Sequence, residues 1–158
     1  MITRSAMRDA SKRSQLGSIP DGYTVKASKF LNRKKIKSKG LYTDRNLPKG
    51  YVIGEYIGVL LTDEEAKNKR KNRNYMFDVR PPCSGDDSKE VAFVIDCANK
   101  RLSSFVRYAN TADFEHQQNS QFVQVGLKIF LVTLKPLRRN TEILAWYGWN
   151  TENVVSSK

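Results

Sequence analysis

The chain has 158 residues, enough for one domain that hides roughly two-thirds of its unfolded surface in a single core, with no disulfide or metal staple required. Two cysteines, Cys83 and Cys97, a single histidine, His116, and no Cys-x-x-Cys pair argue against a Cys/His zinc site, so no metal is expected. The formal charge of +12 is uneven: residues 1–73 carry 18 Lys/Arg against 7 Asp/Glu and residues 74–158 carry 10 against 9, which favours a polyanion beside the N-terminal half.

Residues 1–20 are rich in Ser, Lys and Arg, show little periodicity and end in the turn signature Ile19-Pro20-Asp21-Gly22; a loose basic arm is expected there. Residues 21–150 follow as the folded domain, and 151–158 as a short tail. Short β-type runs begin at Tyr23–Ala27 and Gly40–Thr43. Between them Arg33-Lys34-Lys35-Ile36-Lys37 fits phosphate contact, a nuclear-import signal or plain solvation equally well. The next run, Tyr51–Leu60, alternates so that Gly54, Tyr56 and Gly58 share one face, and the two glycines are expected to leave open space around Tyr56. Tyr51–Leu61 is also the longest apolar stretch. Glu55 interrupts it and it is too short to span a bilayer, and no signal-peptide pattern opens the chain, so an intracellular protein without a membrane partner is expected.

Thr62-Asp63-Glu64-Glu65 is a capping box, with Lys67, Lys69, Arg70 and Lys71 toward the other end; it predicts one short surface helix ending near Asn72–Asn74. Further strands are expected at Tyr75–Val79, Val91–Asp96, Gln121–Val125, Lys128–Leu134 and Glu142–Trp146, separated by turns such as Pro81-Pro82 and Ser84-Gly85-Asp86-Asp87. Cys97 reads as a buried small apolar residue, with a Cys83–Cys97 bridge as the alternative. Leu47-x-x-Gly50-x-x-Ile53 and Leu137-x-x-Asn140-x-x-Ile143 echo one another, and Gly50 and Asn140 are each expected to supply a positive-φ turn before a strand. The whole predicts a mostly β domain of several small sheets.

Four stretches carry a resemblance when taken in order: Ser38-Lys39-Gly40-Leu41-Tyr42, Gly54-Glu55-Tyr56-Ile57-Gly58, Arg107-Tyr108-Ala109-Asn110 and Glu142-Ile143-Leu144-Ala145-Trp146-Tyr147-Gly148. From Tyr23 to Gly148 the chain resembles the SET-domain protein lysine methyltransferases. Thr111-Ala112 in place of the usual His-Ser, the segment from Glu115 to Phe122 and the Trp146-Tyr147-Gly148 ending look most like the PR/SET subgroup. The resemblance implies a SET-like fold with a knot-like C-terminal arrangement, S-adenosylmethionine as methyl donor, and a histone tail or other basic protein as substrate.

Carried over residue by residue, it implies Tyr147 and Tyr56 as catalytic groups. It gives Ser38, Lys39, Gly40, Leu41, Tyr75, Arg107, Tyr108, Asn110, Thr111 and Tyr147 to the donor, and Tyr56, Ala145, Trp146 and Tyr147 to the lysine channel. Ser38 stands where the family has Gly. Without the resemblance, Tyr147 reads equally as a core tyrosine closing a strand, and Tyr56 and Tyr75 as core aromatics. Methyl transfer to an amine is an in-line displacement that needs alignment and exclusion of water more than an acid or a metal. Seven Tyr, seven Phe and two Trp with one His and no nucleophile elbow suit that chemistry. A ring-lined channel strips water from a lysine and lowers its pKa, and it holds methylated ammonium by cation–π attraction.

The resemblance makes the position two before the terminal Tyr the one that tunes how many methyls fit, and Ala145 there is expected to leave room for a dimethyl or trimethyl product. The basic half implies attraction to nucleosomal DNA, and the resemblance implies a nuclear location, in the source cell or in a host cell. A second function class, a catalytically silent SET-like module binding protein or nucleic acid, is favoured by Ser38, Thr111 and the short C-terminus; a plain nucleic-acid-binding domain has the charge but no recognised motif. Pairing as a homodimer is left open.

Overall fold

Short apolar runs punctuated by Gly, Pro and Asn turns fold here into short strands that change partners often. The computed structural model describes residues 2–69, 75–81 and 90–146, and the backbone of Val154–Val155. In chain order the elements are α1 (Arg4–Arg13), β1 (Tyr23–Ala27), α2 (Lys29–Arg33), β2 (Lys39–Thr43), β3 (Val52–Glu55), β4 (Val59–Leu61), α3 (Asp63–Asn68) and β5 (Met76–Val79). After them come β6 (Phe93–Asp96), β7 (Asn110–Thr111), β8 (Ser120–Val125), β9 (Lys128–Thr133), β10 (Thr141–Glu142), β11 (Leu144–Trp146) and β12 (Val154–Val155). They form small sheets ordered β1-β2-β10, β4-β6-β5 and β3-β9-β8-β11-β7, with β12 against β8. The fold is mostly β, as the pattern predicts. Strand β11 is inserted between β7 and β8 and runs parallel to both, which locks the end of the domain behind earlier chain.

The loose arm expected over residues 1–20 is corrected by helix α1. Thr3 caps it by accepting the Ala6 N–H, and Lys12 and Arg13 occupy its last turn. Ile2, Ala6, Met7 and Ala10 come at helical spacing and pack on Val52, Val123, Phe130 and Val132. Two of those four are alanines set among Lys and Arg, so the stripe leaves a faint sequence signal. The same helix covers the edge of β3. Arg13 donates to the carbonyls of Val52 and Ile53 at 2.8 and 2.9 Å, Ser11 Oγ donates to Glu55 Oε1 at 2.7 Å, and Ser14 Oγ accepts the Glu55 N–H at 2.8 Å.

Helix α2, capped by Ser28, is a second element beyond the single helix expected. Helix α3 has its full capping box at Thr62 and Glu65 but stops at Asn68, where Lys69 turns extended and reaches the buried Asp96 at 3.2 Å; Asn72–Asn74 lie outside the described residues. The expected strands Tyr51–Leu60 and Glu142–Trp146 each break in two and change sheets, at Tyr56–Gly58 and at Ile143. The glycines around Tyr56 do not leave open space. A Cβ at Gly54 would meet Phe105 at 2.8 Å and Val106 at 2.9 Å, and one at Gly58 would overlap the Asp96 carbonyl, so both positions are filled by close-packed neighbours.

The echoed turns are real and face each other. Leu47 and Leu137 exchange two backbone hydrogen bonds of 2.8 Å, and Gly50 and Asn140 have φ of 77° and 66°. The main core between the sheets is built on Leu41, Ile53, Phe105, Ile129, Leu131 and Ile143. Beside it Tyr56, Phe77 and Phe122 form a ring triad with centroids 5.4 to 5.7 Å apart. Cys97 is a free, buried thiol donating to the Ile57 carbonyl, and burial pushes its pKa up to about 11; Cys83 lies outside the described residues.

Candidate active site

The chain enters the site at Ser38, the residue before strand β2. Its carbonyl accepts the Ser28 N–H at 2.9 Å, which closes the β1–β2 loop around α2. The Lys39 side chain is exposed while Gly40 and Leu41 are buried, and Leu41 is tied to the chain end by the Ile143 N–H on its carbonyl at 2.8 Å. Across this strand stands Asn110, the first residue of β7, held in register by the parallel pairing of Leu144 with Asn110 and Ala145 with Thr111. Asn110 Nδ2 donates to the Lys39 carbonyl at 2.9 Å, so two motifs far apart in sequence meet through one hydrogen bond.

The residue that joins them is Glu142, which the sequence reading did not single out. Its Oε2 accepts Ser28 Oγ at 2.6 Å and Asn110 Nδ2 at 3.3 Å; its Oε1 accepts the Phe30 N–H at 3.0 Å and the Tyr42 hydroxyl at 3.3 Å. The carboxylate lies directly on the Gly40 Cα. A Cβ there would overlap Glu142 Oε2 and come 3.2 Å from Asn110 Nδ2. Gly40 is therefore fixed by the packing of a protein side chain as well as by any ligand. Tyr42 shares its one hydroxyl proton between Glu142 and the nearer Ala27 carbonyl and accepts the Lys29 N–H, the last two both at 2.9 Å; burial raises its phenol pKa, while the Lys29 N–H works the other way. A sequence signal for Glu142 did exist: an acid opening the otherwise apolar run Ile143-Leu144-Ala145 needs partners if it is to be folded in.

A second cluster gathers Tyr75, Arg107 and Tyr108. The guanidinium sits 4.3 Å from the Tyr75 ring and 4.7 Å from the Tyr108 ring, and it donates to the carbonyls of Cys97 at 2.8 Å and Ala98 at 3.2 Å. Arg107 thus holds two rings against the end of β6. Tyr56, 2% exposed, donates its hydroxyl to the Tyr75 carbonyl at 2.6 Å, so its ring is in the core and its polar tip points at this cluster. Tyr108 further lines a cleft of ≈ 160 Å³ with Phe105, Ser103 and Gly17, rimmed by Lys100 and Arg101.

Ala145 is fully buried beside Ser120 and Thr111, Trp146 is half-buried opposite Gln121, and Thr111 is exposed. Tyr147 lies outside the described residues, as do Gly148 and Trp149. The structure therefore brings Ser38–Leu41 to Asn110, and Tyr56 to Tyr75, Arg107 and Tyr108. Among the described residues no cluster of His, Cys, Asp and Glu could hold a metal ion, and no helix is long and apolar enough to cross a membrane.

Residues 28–157 match the family described as PR domain zinc finger protein 2, PR domain. Histone-lysine N-methyltransferase set-17 of Caenorhabditis elegans is 31% identical over 130 residues, 82% of this chain and 42% of that protein. PR domain zinc finger protein 2 of Homo sapiens is 28% identical over 109 residues, 69% of this chain and 6% of that protein. The chain thus spans less than half the length of these curated relatives. The solved methyltransferase domain of human PR domain-containing protein 2 shares the fold, with a TM-score of 0.65 at 21% identity over 95% of this chain and 86% of that one. A family match over most of the chain and a shared fold lead to one conclusion: the protein belongs to the PR-domain family of SET-related domains.

Proposed function

We propose that the protein is an S-adenosylmethionine-dependent lysine methyltransferase acting on a histone tail or a similar basic peptide, in the nucleus. The observation that carries this reading is the hydrogen bond from Asn110 to Lys39, which joins at one point the two motifs that the resemblance assigns to the donor. The similarity to a histone-lysine N-methyltransferase supports the same chemistry.

The residues fit such a donor. Asn110 spends both amide hydrogens inside the protein and leaves Oδ1 as an acceptor with no partner among the described residues, beside the Gly40 backbone on which Glu142 packs. The backbone of Ser38–Leu41, with Asn110 and Thr111, would hold its polar groups, and Tyr75 and Tyr108, stacked on Arg107, would wall its flank. When bound, the group supplies a sulfonium methyl for in-line displacement by the lysine nitrogen. Tyr56, Ala145, Trp146 and Tyr147 would line the lysine side, where aromatic walls exclude water and favour the neutral amine that reacts. The exposed cations Arg33, Lys35 and Lys37 come directly before the donor segment Ser38–Leu41 and would draw the enzyme to nucleosomal DNA.

One observation favours a second reading, a catalytically silent binding module: the Tyr56 hydroxyl is engaged by the Tyr75 carbonyl and the residue is 2% exposed. Incubation with labelled donor and core histones, beside a Tyr147→Phe variant, separates the two. Transfer by the wild type with loss in the variant supports the enzyme; donor binding by calorimetry with no transfer supports the silent module.

A further inference from the structure

We infer that Glu142 is a positioning residue that sets the amide polarity of Asn110, and so decides that a donor meets a hydrogen-bond acceptor at that point. The inference rests on the methyltransferase reading and extends it to a residue not itself assigned to the donor or the lysine channel.

Glu142 has four polar neighbours: Ser28 Oγ and Asn110 Nδ2 on one oxygen, and on the other the Phe30 N–H and the Tyr42 hydroxyl, whose single proton it shares with the nearer Ala27 carbonyl. It is held from within and acts through its neighbours. Asn110 Nδ2 has two hydrogens, and they go to the Lys39 carbonyl and to Glu142. Turned the other way, the amide would set Oδ1 against the Lys39 carbonyl and the Glu142 carboxylate, three acceptors together with no proton between them. The carboxylate therefore locks Nδ2 inward and Oδ1 outward. The same oxygen lies on the Gly40 Cα and holds Ser28, the residue that closes the donor loop through Ser38, so one side chain sets both the loop and the amide.

Glu142→Gln is the direct test, because the new amide can offer protons to Asn110 and let it turn over. Affinity for S-adenosylhomocysteine is read by calorimetry in four proteins: wild type, Glu142→Gln, Asn110→Ala and the double variant. Glu142→Gln alone is expected to weaken binding about tenfold, the scale of one charge-assisted hydrogen bond. In the Asn110→Ala background the same change is expected to alter the dissociation constant less than about twofold, since the group that it positions is gone. Equal losses in both backgrounds, as a purely structural carboxylate gives, overturn the inference, and so does wild-type affinity in Glu142→Gln. A wild-type protein that binds no S-adenosylhomocysteine overturns the methyltransferase reading together with it, which distinguishes the two failures. If Glu142→Gln does not fold, Glu142→Asp keeps the charge and withdraws it by one methylene; the same coupled pattern is expected, and additive losses overturn it.

Discussion

Tyr56 and Tyr75 are joined by a 2.6 Å hydrogen bond from the phenol of the first to the main-chain carbonyl of the second, and Tyr75 in turn packs on Arg107 at 4.3 Å. Tyr56→Phe removes a buried donor and leaves that carbonyl with the Cys97 N–H at 2.9 Å as its remaining bond. Stability should fall by about 1 kcal/mol, as measured by urea denaturation, with a larger loss of methyl transfer than of donor affinity.

Gly40 and Gly50 should fail for different reasons. Gly40→Ala drives a methyl into the Glu142 carboxylate and should weaken S-adenosylhomocysteine binding along with stability. Nothing lies within 4 Å of a Cβ at Gly50, where φ is 77°, so the obstacle there is conformational. Gly50→Asn should therefore be milder than Gly50→Val, because Asn140 already adopts 66° in the facing turn. Thermal midpoints of the two variants check the order.

Alkaline pH should unfold the protein in a defined window. Burial raises Tyr23 from 10.0 to about 12 and Cys97 from 9.0 to about 11. Each is neutral when protonated and holds its proton more tightly when folded. Their contribution is complete below pH 9 and is lost as pH climbs through 9 to 12. Denaturation midpoints taken across that range should fall steadily, and mass mapping should find Cys97 unmodified by a thiol reagent at pH 8 until denaturant is added.

Ala145 makes two demands at once. Its small side chain should allow dimethyl or trimethyl product at completion, and a mass spectrum with monomethyl product alone would refute that. Because it is 0% exposed between β7 and β8, Ala145→Phe should also overpack the site and cost about 1–3 kcal/mol, so any shift toward fewer methyls must be read beside a melting curve.

Charge should divide nucleosomes from peptides. A protein of net +12 repels a free basic tail and attracts nucleosomal DNA. Turnover on nucleosomes should exceed that on peptide at low salt, and the gap should narrow as salt rises; parallel salt curves would refute it.

Much of the fold was legible because its signals are local. The run Tyr23–Ala27 became β1 with the same bounds, the Thr62 capping box formed, and Gly50 and Asn140 took the positive φ their turns require. What escaped was set by distance. Helix α1 shows its purpose only once the edge of β3 is beside it, and the break at Tyr56–Gly58 is fixed by Phe105, Val106 and Asp96 pressing where a Cβ would be. At the site, Asn110 and Gly40 were visible as motifs. Glu142 stood in the last motif, but its role was not legible, since its four partners come from residues 28, 30, 42 and 110 and no window of sequence contains them.

The reciprocal bridge between Leu47 and Leu137 bears on how the molecule comes into being. Strands β2 and β10, which flank that bridge, supply Gly40 and Glu142, so the cluster that they form with Asn110 is stitched from segments about a hundred residues apart. Contacts of such sequence separation are slow to close, because loop entropy is lost before they form. A nascent chain still on the ribosome cannot bring Gly40, Asn110 and Glu142 together until residue 142 has emerged.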